Sequence, residues 1–109
     1  MKQFIAKANT ANRKANIGLR FAGKINASQI SNLFAQHSYS CYYCAFQSTN
    51  LTEMTVDHVV PMVKGGENHI RNIVPCCFKC NVRKQARSES EYLEVLDILL
   101  EDDEFVLED

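Results

Sequence analysis

No stretch of this 109-residue chain stays apolar for more than a few residues, far short of the roughly 20 needed to cross a bilayer. The amino terminus, Met1-Lys2-Gln3-Phe4-Ile5-Ala6-Lys7, lacks the apolar core of a secretory signal. These absences argue against a membrane protein and an exported one, and a cytoplasmic protein is expected. Internal repeats and a flexible interdomain linker are also missing, so one domain is expected over residues 1–109. Proline is scarce: Pro61 and Pro75 are the only two, and each is expected to end a strand. No basic residue follows Arg87.

That last absence divides the chain. Residues 1–87 carry all twelve Lys and Arg against only Glu53, Asp57 and Glu67, a net of +9. Residues 88–109 carry the other ten acids and no base, a net of −10, so the overall charge of −1 hides two opposed halves. A basic body suggests a polyanionic partner, nucleic acid first among them.

Three segments follow. Residues 1–25 read as a basic arm or helix. The run 7–16 can be helical up to Gly18, with a thin apolar stripe that has little to bury. Residues 26–87 read as the core. Its first helix, 26–37, opens on a capping box of Asn26 and Gln29, with Ile25 and Ile30 placed as a hydrophobic staple. Ile30, Leu33, Phe34 and His37 form its inner face. Residues 54–60 and 72–74 read as short strands around a turn at 64–68, and a further helix is expected from near Cys80 through Arg87. Residues 88–109 open on a second capping box, Ser88 with Glu91. They continue as an acidic amphipathic helix facing inward with Tyr92, Val95, Leu96 and Leu99, widened by Leu93 and Leu100.

Cysteine is plentiful, with five in a compartment that keeps thiols reduced, which suggests metal rather than disulfides. Cys41-x-x-Cys44 and Cys77-x-x-Cys80 are two thiolate pairs with 32 residues between them, and two such turns complete a closed tetrahedral S₄ site suited to structural zinc. Two disulfides and an iron–sulfur cluster are the competing uses of four cysteines. Cys76 also lies close, but the x-x spacing to Cys80 favours Cys77 and leaves Cys76 as a buried thiol.

Between and after the pairs stand Asp57-His58, Pro61, Gly65-Gly66, Asn72, Val74-Pro75, Asn81 and Lys84. In this order, with both cysteine pairs, the sequence resembles the HNH endonuclease family. The resemblance implies an α+β fold with a zinc-bracketed ββα-metal core, N-terminal helices leading in and the acidic C-terminal helix following. It implies His58 as general base and Asn72 as the residue that steadies the loop orienting His58, the pair expected to be catalytic. Asp57 is implied as a ligand of a catalytic divalent ion. Asn81, where the family has His or Asn, is implied as its second ligand. Asparagine there shifts the expected ion toward Mg²⁺ or Mn²⁺.

The chemistry is coherent on its own terms. Hydrolysing a phosphodiester needs a base near neutral pH to take a proton from water, and imidazole supplies one. Charge developing on phosphate and leaving oxygen needs a hard cation. His37 and His69 read as an inner-face and a surface histidine rather than catalysts. Arg83, Lys84 and Arg87 are expected to meet phosphate from one helix, with Arg13, Lys14, Arg20 and Lys24 as weaker backbone contacts.

The first expectation is therefore a metal-dependent nuclease that nicks one strand of double-stranded DNA per active site, with little sequence specificity. Stand-alone proteins similar to this one suggest phage DNA processing or packaging, or restriction, in a bacterial or phage-infected cell. The alternative is a non-catalytic zinc-ribbon nucleic-acid-binding or adaptor protein on the same scaffold. The acidic end either packs on the domain, masks the basic surface, or makes a dimer or partner interface through residues 92–100.

Overall fold

A computed structural model describes residues 2–18, 24–48 and 50–101. The expected Arg20 contact and the acidic tail beyond residue 101 lie outside the described residues. Among the described residues, four α-helices and one antiparallel pair of strands make an α+β fold: α1 (Lys2–Gly18), α2 (Ala27–Gln36), β1 (Met54–His58), β2 (Ile73–Cys77), α3 (Phe78–Lys84) and α4 (Glu89–Glu101). Among the described residues no helix is long and apolar enough to cross a membrane.

The α1 helix buries more than its composition suggests. Phe4, Lys7, Ala8 and Ala11 recur at helical spacing and are all buried. The stripe looks thin because two of its members are alanines, which let α1 come close to α2 and β1. Phe4 meets Phe34 edge-on at 5.7 Å, and the Lys7 ammonium lies 6.0 Å from the same ring, where burial lowers its pKa. Of the two forms expected, arm or helix, residues 2–18 take the helix, and it is part of the core. The α2 helix opens on the expected reciprocal capping box between Asn26 and Gln29, and Ile25, Ile30, Leu33 and Phe34 are buried. His37 closes that helix half-buried, edge-on to Tyr42.

The strands pair from Met54 with Cys77 to His58 with Ile73. Pro75 does not end the second strand, which runs through it to Cys77. The reason is geometric. The Pro75 carbonyl accepts the Tyr42 N–H at 2.9 Å, on the edge away from β1. A strand residue sends its N–H and C=O to the same side, so the donor that proline lacks is one β1 never needed.

The third helix starts two residues earlier than expected and ends sooner. Cys77 is its N-cap, and it stops at Lys84, where Gln85 turns to φ 53°. Arg87 therefore lies beyond the helix. Ser88 and Glu91 cap α4 reciprocally, and Tyr92 and Leu96 are its buried face. Val95 packs half-buried beside them, while Leu93 is exposed. Glu91 also pairs with Lys64 of the loop after β1, which holds its carboxyl well below the usual range.

Candidate active site

The first cysteine pair sits on a knuckle closed by the Cys41 N–H on the Phe46 carbonyl at 2.7 Å and by a bridge between Ser40 and Gln47. The second sits on the first turn of α3, where Cys77 Sγ accepts the Cys80 N–H. The four sulfurs of Cys41, Cys44, Cys77 and Cys80 all lie within 4.8 Å of one another. Tetrahedral zinc at about 2.3 Å from each sulfur sets them about 3.8 Å apart, and Cys44 and Cys77 are at 3.6 Å. The four cysteines are positioned to hold a metal ion.

Hydrogen bonds from Cys44, Cys76, Cys77 and Cys80 pull the Cys41 thiol far below its ordinary range, while Cys41 in turn pushes Cys44 and Cys80 up. A cation at the centre removes that competition by favouring every thiolate. Cys76 is fully buried, and its thiol faces the Cys77 carbonyl, outside the four-sulfur cluster.

Asp57 and His58 are consecutive on β1, so the pleat sends them to opposite faces. On one face, Asp57 Oδ2 accepts the Tyr43 hydroxyl at 2.7 Å and the Lys84 ammonium at 2.9 Å. Burial, then the Asp57 charge, drive the Tyr43 phenol far up, so it remains a donor. On the other face, His58 Nε2 lies 2.8 Å from Asn68 Oδ1, and the residue is 7% exposed.

Asn72 holds the intervening loop shut. Its amide nitrogen donates to the Val60 and Glu67 carbonyls at 3.0 and 2.8 Å, and its oxygen accepts the Val60 N–H at 2.9 Å. The two loop glycines serve different needs. Gly65 turns at φ 90°, which only glycine adopts cheaply, whereas a Cβ on Gly66 would meet the Val60 carbonyl oxygen at 1.8 Å.

Asn81 lies half-buried on α3, which packs against β1. Among the described residues its amide makes no hydrogen bond, and Asp57 Oδ1 accepts none. A carboxylate oxygen and an amide oxygen are both hard donors of the type that Mg²⁺ and Mn²⁺ take.

Lys84 corrects the expected phosphate face. Its side chain is 0% exposed, because the ammonium is drawn inward to Asp57 and to the His58 carbonyl at 3.1 Å. As placed, it cannot meet phosphate. Arg87 is exposed and donates to the Arg83 carbonyl at 2.6 Å, and Arg83 is half-buried. Arg13 and Lys24 are exposed, and Lys14 lies on α1 with a side chain outside the described set. His69 is exposed and caps a short turn through Nδ1.

Three side chains carry the site that the motif does not mark: Tyr43, Asn68 and Asn12. Tyr43 lies between two metal-spaced cysteines, where nothing in the sequence separates a working tyrosine from a packing one. Residues 41–96, half the chain, match a family model described as HNH endonuclease. No curated protein matches the chain.

Proposed function

The chain belongs to the HNH endonuclease family, and from that premise we propose a metal-dependent endonuclease that hydrolyses phosphodiester bonds of double-stranded DNA. One observation carries the reading. A ββα unit bracketed by four convergent cysteines sets His58 and Asp57 on one strand and Asn81 on the helix packed against it. In this reading residues 1–109 act as one nuclease domain and the cysteines hold zinc.

His58 takes a proton from the water that attacks phosphorus. Asn72 fixes the loop that follows His58, and Lys84 and Tyr43 fix Asp57. Asp57 and Asn81 would hold Mg²⁺ or Mn²⁺, which supplies charge stabilisation for the phosphate and leaving oxygen. Arg83, Arg87, Arg13 and Lys14 meet backbone phosphate. One site per chain nicks one strand, with little sequence preference, in the cytoplasm of a bacterium or infected host; phage DNA processing or packaging and restriction both need such an activity.

The adaptor reading draws on one observation as well. Asp57 is already neutralised by Lys84, as a purely structural carboxylate would be. Supercoiled plasmid incubated with zinc-loaded protein separates the two. The nuclease yields open circles with Mg²⁺ or Mn²⁺ and none with a chelator of those ions, whereas the adaptor shifts the DNA without cutting it.

A further inference from the structure

The Asn12 side chain on α1 lies outside the segment that matches the family, yet it reaches the active site. Asn12 Oδ1 accepts the Ile25 N–H at 2.8 Å, and Nδ2 donates to the Ile25 carbonyl at 2.9 Å. A backbone N–H can only donate, so this double grip fixes which end of the Asn12 amide is oxygen. That oxygen also accepts Asn68 Nδ2 at 2.9 Å. With Nδ2 committed to Asn12, Asn68 turns Oδ1 to His58 Nε2 at 2.8 Å. An amide oxygen can only accept, so Nε2 carries the proton and the lone pair of the neutral ring is on Nδ1.

We propose that Asn68 and Asn12 are positioning residues that fix the Nε2–H tautomer of His58 and so make Nδ1 the nitrogen that takes the proton from water. The peptide of Ile25 is the anchor of the relay, which makes α1 part of the site. The catalytic half of this inference rests on the nuclease reading, whereas the tautomer does not.

The test is long-range ¹H–¹⁵N correlation of the imidazole rings in the zinc-loaded full chain, with His58 assigned from His58→Gln. It is run about two pH units above the ordinary histidine range so that rings are neutral. Wild type is expected to show His58 protonated at Nε2. Asn68→Ala is expected to mix the tautomers, loosen the ring and slow plasmid nicking about 2- to 10-fold, a small part of the ~10²–10⁴ that a general base supplies, at unchanged DNA affinity. Asn68→Asp, which can still only accept at His58, keeps the Nε2–H signature and recovers rate relative to Asn68→Ala. Asn12→Ala leaves the Asn68 amide able to turn and gives a mixture.

A wild-type ring protonated at Nδ1, or an Asn68→Ala variant with unchanged tautomer and rate, overturns the relay. A wild type that nicks nothing but shows Nε2–H removes the catalytic role and leaves the tautomer standing.

Discussion

Lys84 sets its ammonium 2.9 Å from Asp57 Oδ2, and both side chains are buried. Removing one partner of such a pair strands the other charge in a poorly solvating interior. Lys84→Met should therefore lower unfolding free energy by about 3–5 kcal/mol, read by denaturant titration of the zinc-loaded protein. Asp57→Asn in the same background should recover part of that loss. A lysine that served only phosphate would change DNA affinity and leave the unfolding midpoint alone.

Tyr43 links the first cysteine pair to β1 through its hydroxyl on Asp57 and to α4 through its ring, which meets Tyr92 edge-on at 5.2 Å. Tyr43→Phe keeps the ring and removes the charge-assisted hydrogen bond. Stability should fall by about 1.5–3 kcal/mol with zinc content unchanged. A Tyr43→Phe variant as stable as wild type would show that Lys84 alone holds Asp57.

The cysteine cluster predicts one zinc per chain by native mass spectrometry. A strong chelator should unfold the core, because the site ties the knuckle after α2 to the first turn of α3. Cys80→Ser should lose the metal, whereas Cys76→Ala should keep it. Binding requires thiolates, so protons compete: zinc affinity should fall as pH is lowered, and the unfolding midpoint of the loaded protein should fall with it.

The parts legible in the sequence were those set by short-range chemistry. Both capping boxes, the inner face of α2 and the two metal-spaced cysteine pairs each follow from residues three or four apart. What escaped depends on contacts across the fold. Pro75 reads as a strand end until Tyr42 is seen to use the outer edge of β2. Lys84 reads as a surface cation until Asp57, far away in sequence, is seen to neutralise it. The apolar stripe of α1 reads as thin because alanine contributes little hydrophobicity, although its small size permits close packing. Asn12 and Asn68 are 56 residues apart, and no local pattern links them.

The α4 helix docks through Tyr92 and Leu96. Tyr92 is fully buried, and its hydroxyl faces the Cys80 thiol. Tyr92→Ala should cost about 3–5 kcal/mol, as truncating a buried aromatic does. Tyr92→Phe should cost about 1 kcal/mol or less, because it keeps the packed ring and removes only a weak contact to the Cys80 sulfur. Equal damage from both would place a needed partner on that hydroxyl.

The central claim is that His58 acts as the base of a metal-dependent nuclease. The most direct measurement is the initial rate of supercoiled-plasmid nicking with Mg²⁺ or Mn²⁺, wild type beside His58→Ala at equal zinc content and equal unfolding midpoint. Nicking that depends on the added ion and falls by roughly 10² or more in His58→Ala is the predicted result. A folded, zinc-loaded wild type that cuts with neither ion, or a His58→Ala variant that cuts as fast as wild type, would contradict it.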